Sequence, residues 1–284
     1  MASSLVGKVA LITAGSAGLG AAIASKLAAA QMRIVINYAS NSARATELVK
    51  SLSDALPPTE TTSEPRFIAI QADLAKRADI VRLVEESVRA MGRLDVVVSN
   101  GGWTRFSNFN NLDEGVIESD WDQCFNMNVK SHLFLMHASK EHLEATEGAL
   151  ITTSSVASVK PSGSSLVRTP TTAVSKAAQI HLVKALAMIV SPKVRVNSIS
   201  PGILLTVCLH SLFLQSLYSV VTPADYRVKD WGMKFSEEHL AAAKEKTLLK
   251  RFATVEDCAE QVLTFAKSKS VTGQNAVIDS GFSI

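Results

Sequence analysis

Cysteine, net charge and long apolar runs are all scarce in this chain, and each scarcity closes off a class of function. Only three cysteines occur in 284 residues: Cys124, Cys208 and Cys258. They lie far apart, with no CxxC pair and no histidine cluster beside them, which argues against a zinc site or a disulfide frame and for reduced thiols. No metal is expected. The net charge is only +3, which gives no footing for nucleic acid or an anionic membrane as partner. The most apolar later run, Val207 to Val221, stops at 15 residues and is interrupted by His210 and Gln215, short of the roughly 20 needed to cross a bilayer. Met1 to Lys8 lacks the charged-then-apolar order of a signal peptide. The expectation is a cytoplasmic protein without a membrane segment.

What is present is a large core. Hydrophobic residues make up 47% of the chain and charged residues 19%, a balance suited to a packed interior and unsuited to disorder. Runs rich in Val, Ile and Leu at 9–13, 33–37, 67–71, 94–99, 149–153, 194–199 and 276–278 read as buried strands. Helical patterns fall between them near 19–30, 42–55, 77–91, 120–145, 173–190 and 255–267. This alternation predicts an α/β protein with a doubly wound parallel sheet of about seven strands and helices on both faces. The loop-like stretches 57–65 and 161–170 separate no second core, so one domain over 1–284 is expected.

The turn after the first strand reads Thr13-Ala14-Gly15-Ser16-Ala17-Gly18-Leu19-Gly20 and opens an alanine-rich helix. A bound pyrophosphate needs a tight turn, a backbone clear of side chains and a helix N-terminus with free N–H groups. Gly15, Gly18 and Gly20 answer the first two needs, and the helix from Leu19 answers the third. An ordinary tight turn remains the plain alternative.

The turn resembles the TGxxxGxG of the short-chain dehydrogenase/reductase family, with Ala14 where the family has its first glycine. Alanine there costs little at negative φ and more at positive φ. Further matches run in order along essentially the whole chain. Asn37-Tyr38-Ala39-Ser40-Asn41 closes the second strand without the acidic side chain that would accept from a ribose 2′-OH. Ser40 and Asn41 can donate to a 2′-phosphate and Arg44 is near, as in NADPH-dependent ketoreductases of the family; capping of the next helix by Ser40 or Asn41 is compatible with this. Asp73-Leu74 matches the adenine contact, with Asp73 equally readable as a helix N-cap. Ser99-Asn100-Gly101-Gly102 resembles NNAG beside the adenine ribose, and Pro201 to Thr206, with Gly202, resembles the PGxxxT stretch at the nicotinamide carboxamide. The resemblance implies a Rossmann fold, NADP(H) as cofactor, and a homodimer or homotetramer built through helices 120–145 and 173–190.

It also implies a catalytic Asn-Ser-Tyr-Lys set, in which Lys lowers the Tyr pKa and holds the nicotinamide ribose, Tyr exchanges the proton and Ser holds the substrate oxygen. Asn128, Ser155 and Lys176 match, with Ser154 the competitor of Ser155. The tyrosine does not: Thr172 stands four residues before Lys176, and Tyr38, Tyr218 and Tyr226 all lie elsewhere in the sequence. A threonine hydroxyl is shorter and far less acidic than a phenol. The gap from Ser155 to Thr172 is 17 residues, about four longer than the family's.

A second irregularity is 207–229, 23 residues between Thr206 and Asp230. It reads either as a substrate-loop insertion or as an intron kept in frame. Three functions stay open: an NADP(H)-dependent reductase of a ketone on a small apolar metabolite, with another proton donor; a non-redox or impaired NADP(H)-binding protein, such as a cyclase, isomerase or pseudoenzyme; or a mis-spliced form of an ordinary reductase. Trp103, Phe106 and Phe109 could line an apolar pocket or pack beneath the loop. Arg105 could meet an acidic substrate or simply face water.

Overall fold

The computed structural model describes residues 4–56, 65–105, 107, 111–161, 170–205 and 236–284. Thr206, Phe106, Phe109 and the segment 207–229 lie outside the described residues.

Seven parallel strands, β1 (Val9–Ile12), β2 (Arg33–Tyr38), β3 (Phe67–Gln71), β4 (Val96–Ser99), β5 (Ala149–Thr153), β6 (Arg195–Pro201) and β7 (Asn275–Ile278), form one sheet. Their order is β3-β2-β1-β4-β5-β6-β7, and the parallel, doubly wound arrangement is the one the alternating pattern predicts. Side chains of a strand alternate between faces, and β1 shows it: Ala10 and Ile12 enter one apolar cluster, Val9 and Leu11 the other. The first cluster is closed by α1 (Gly18–Ala29) and α9 (Val255–Lys267), and the second by α3 (Arg77–Met91), α6 (Ser131–Thr146) and α7 (Pro170–Val190). α2 (Ser42–Ala55) adds Leu48 and Leu52 to the first. β1, β4 and β5 are buried along their whole lengths, which is why they read as continuous apolar runs.

The helix expected over 120–145 is instead three pieces. α5 (Glu118–Phe125) runs into a π-helical turn at Asn126–Lys130, and α6 continues from it. A π turn admits one extra residue, and such turns gather at functional sites; this one carries Asn128. α7 begins at Pro170, earlier than its apolar pattern suggests, because proline suits the first helical position where no N–H bond is lost. Two short helices, α4 (Leu112–Gly115) and α8 (Glu237–Glu245), have no clear periodicity. α7 is long and apolar enough to cross a membrane by length and composition, yet Val183, Leu186, Ala187 and Val190 pack it into the second cluster.

At the switch point between β1 and β4, strand order reverses and both chain directions diverge, leaving a crevice beyond the strand ends. Ala14 sits there at φ +48°, in the left-handed region, as does Gly18 at φ +50°. The alanine therefore occupies the costly conformation, at about 1 kcal/mol or somewhat more. Asn37 compensates. Fully buried, its Oδ1 accepts from the Ala14 N–H at 3.1 Å, while its Nδ2 donates to the Ala72 and Ile70 carbonyls. The Asn37 carbonyl also accepts from Gly15 N–H at 2.8 Å.

Glycine at position 14 removes the strain but adds unfolded-chain entropy of about 0.5–1 kcal/mol. Ala14→Gly should thus leave stability unchanged or raise it by up to about 1 kcal/mol, while the β-branched Ala14→Val should cost roughly 2 kcal/mol. Chemical denaturation checks both; a valine variant as stable as the parent would contradict the left-handed backbone.

Candidate active site

The residues expected to hold a dinucleotide come together along the C-terminal edge of the sheet. Thr13, buried at the end of β1, receives the Asn100 and Gly101 N–H groups on its Oγ1 at 2.9 and 3.2 Å. It thereby ties the turn after β4 to the turn after β1, a role its sequence position alone did not disclose. Asn100 Nδ2 donates to the Ala14 carbonyl at 3.4 Å. A side chain at Gly20 would meet that same carbonyl oxygen at 2.3 Å, so only glycine lets α1 pack on the turn. Ala17, at the N-cap of α1, makes no side-chain cap, and the first turn holds no acidic residue. The leading N–H groups of α1 thus remain suited to an anion.

Around the adenosine end the placement is mixed. Ser40 and Asn41 are exposed beyond β2, and Asn41 Oδ1 caps α2 by accepting from Arg44 N–H at 2.9 Å. The Asn37 carboxamide is turned inward on the backbone, so it shapes the turn. Asp73 does not cap α3, whose N-cap is Lys76. Its Oδ1 instead accepts from Ala75 N–H at 3.0 Å, and it sits 3.4 Å from Lys76 Nζ. Leu74 lies where any Gly101 side chain would collide with its Cδ1 at 2.4 Å. Pro201 ends β6 in register with Ile278, and Gly202 passes so close to Asp279 that a Cβ would lie 2.8 Å from its Cα.

The expected catalytic side chains gather around α7. Asn128, wholly buried on the π turn, holds both backbone polar groups of Trp103: Oδ1 accepts from Trp103 N–H at 2.8 Å and Nδ2 donates to Trp103 O at 2.9 Å. Nδ2 also reaches Ser175 Oγ at 3.0 Å. Of the two serines, Ser154 donates to the Lys176 carbonyl at 3.1 Å. Half-buried Ser155 accepts from Ala157 N–H at 3.2 Å and donates to no described residue.

Thr172, Ser175, Lys176 and Gln179 share the inward face of α7, three or four residues apart. Thr172 Oγ1 lies 2.5 Å from Thr104 Oγ1 and 4.0 Å from Cys124 Sγ. Lys176 is buried; its Nζ donates to the Thr153 carbonyl at 2.7 Å and to Gln179 Oε1 at 3.0 Å. Burial pulls its pKa down to about 8, with nearby Cys124 acting the other way. A side chain added at Gly102 would sit 3.2 Å from Asn128 Oδ1 and 3.4 Å from Lys176 Nζ. Gly102 therefore keeps clear the ground onto which both groups face. Beneath, His132 is fully buried with its Nδ1 2.5 Å from Ser99 Oγ, and burial, aided by Lys176, holds it neutral well below the usual histidine range. Thr13, Thr104, Cys124 and Gln179 carried no motif signal, because their partners are remote in sequence.

Residues 8–216 match the family model for short chain dehydrogenase. Over 274 residues the chain is 31% identical to "Granaticin polyketide synthase putative ketoacyl reductase 2" of Streptomyces violaceoruber, covering 96% of this chain and 95% of that one. It is 36% identical over 200 residues to a hydroxynaphthalene reductase-like protein of Metarhizium brunneum, covering 70% and 69%. Among solved structures, a short chain dehydrogenase from Burkholderia cenocepacia in complex with NADP superposes with a TM-score of 0.78 at 27% identity, covering 99% and 100% of the two chains. A blue fluorescent protein from a metagenomic library, in complex with NADPH, gives 0.77 at 26% identity, with the same coverage. By sequence and by fold alike, the chain belongs to the short chain dehydrogenase family.

Proposed function

We propose that this protein is an NADP(H)-dependent reductase of a ketone on a small apolar metabolite, with the Lys176 ammonium in place of a phenol as proton source. The observation that carries the reading is Lys176 itself, buried, facing the clear ground over Gly102 and poised near pH 8. General acids work best when their pKa lies near the working pH. The cofactor, when bound, supplies a hydride. Gly15, Ser16, Gly18, Leu19 and Gly20 offer its pyrophosphate unobstructed backbone at a helix N-terminus. Ser40 and Asn41 receive the 2′-phosphate, Asp73, Leu74, Asn100 and Gly101 border the adenosine, and Pro201 and Gly202 flank the nicotinamide. Ser155, whose O–H donates to no described residue, would polarise the carbonyl oxygen of the substrate, and Lys176 would give that oxygen its proton. Relatives named for ketoacyl and hydroxynaphthalene reduction support a carbonyl substrate. Neighbours holding NADP and NADPH support the cofactor.

One observation favours a second reading, a non-redox NADP(H)-binding protein: the Thr172 hydroxyl is bonded to Thr104 and is no acid. We further propose a cytoplasmic homodimer or homotetramer built through α6 and α7, which expose Leu133, Met188 and Ile189. Sedimentation velocity should show no monomer at micromolar concentration.

NADPH should bind at least about tenfold tighter than NADH, some 1.4 kcal/mol, because no carboxylate closes β2 to repel the 2′-phosphate. Fluorescence titration decides this; equal affinities would remove the roles given to Ser40 and Asn41.

Turnover of cyclic and aromatic ketones should run about 10²–10⁴-fold below a family member with tyrosine. The ammonium is the acid form, so the rate should hold below pH 8 and fall about tenfold per unit above it. A rate that rises through pH 8 would exclude Lys176 as the donor. NADPH binding with no turnover of any ketone would favour the non-redox reading.

A further inference from the structure

Glutamine inside an apolar helix calls for a reason. Gln179 is wholly buried in α7, where burying an amide costs free energy unless both its ends are bonded. Both ends are. Oε1 accepts from Lys176 Nζ at 3.0 Å, and Nε2 donates to the Thr153 carbonyl at 3.1 Å, the same oxygen that receives Nζ at 2.7 Å. The three groups close a ring: ammonium, carbonyl, carboxamide. The orientation of the amide is dictated, since the reverse would set its NH₂ against an NH₃⁺.

We propose that Gln179 is a positioning residue for Lys176, a neutral clamp that occupies one ammonium proton, shares the Thr153 carbonyl, and leaves the remaining N–H directed at the ground over Gly102. This rests on the reading above, in which Lys176 gives the proton, and on its ammonium also meeting the nicotinamide ribose, as the family resemblance implies.

A neutral clamp matters because of what surrounds the ammonium. The titratable groups facing it are Cys124 on α5 and His132 on α6, and His132 is neutral. No carboxylate among the described residues acts on Lys176. A carboxamide fixes the ammonium without raising its pKa as an anion would. A leucine in its place would fill similar volume but leave Nζ with a single acceptor, free to turn away from Gly102.

The test uses the full chain labelled with ¹³Cε-lysine, Lys176 being assigned by its missing signal in Lys176→Met. Lys176 is titrated by NMR in the parent, Gln179→Leu and Gln179→Glu, and NADPH affinity is read by fluorescence. In Gln179→Glu the midpoint should rise by about one pH unit or more, because a carboxylate keeps the acceptor for the ammonium and adds charge, although it can no longer donate to the Thr153 carbonyl. In Gln179→Leu the midpoint should fall, and NADPH should bind about five- to tenfold more weakly as the ammonium loses its aim. An unmoved midpoint in Gln179→Glu overturns the clamp, even if the leucine variant fails to fold. So does an unchanged NADPH affinity in a folded Gln179→Leu. Failure of the parent to reduce any ketone would instead sink the reductase reading, and leaves these two readouts intact.

Discussion

An ammonium group buried with no carboxylate among the described residues to balance it is the constraint on which the rest of this site depends. Desolvating Lys176 draws its pKa toward 8, and the cost is contained by a carbonyl and a carboxamide. The carbonyl belongs to the last residue of β5, whose place is set by pairing with β4 and β6. The carboxamide lies less than one turn along the same helix. Sheet register and helix phase must therefore both be right before the charge can be held.

The same economy of partners operates across the crevice. Asn128 uses its whole carboxamide on the Trp103 peptide and Ser175, which locks the loop after β4 against α7. Thr13 and Asn37 do the equivalent for the turn after β1. These buried polar side chains hold irregular backbone that no regular ladder can satisfy. Around a bound dinucleotide the backbone must bend sharply and stay clear of side chains, so the supports are set one layer below it.

A threonine where the resemblance implies a tyrosine disturbs this arrangement less than its chemistry suggests. Thr172 fits the inward face of α7, bonds to Thr104 and leaves Lys176 in place. The backbone of the glycine turn and the bonds that hold Lys176 do not involve the Thr172 hydroxyl. Proton delivery cannot survive the threonine unaltered, since no hydroxyl of ordinary acidity replaces a phenol near neutral pH.

Much of this was legible in the chain itself. The seven strands and their parallel arrangement followed from apolar runs alternating with helical periods, because a strand covered on both faces has no polar side to show. The glycine turn, Asn128, Ser155, Lys176 and Thr172 could be picked out as candidates, since each sits at a fixed local spacing in its motif. Tertiary structure decided what those spacings leave open. It put Ala14 at positive φ with Asn37 beneath it, broke the long helix into a π turn at Asn128, and committed Ser154 to α7 while Ser155 donates to no described residue. It also brought Gln179 and Thr153 onto Lys176. Those outcomes depend on contacts between residues as far as 47 positions apart, and a hydrogen bond formed across such a distance leaves no periodicity in the sequence to announce it.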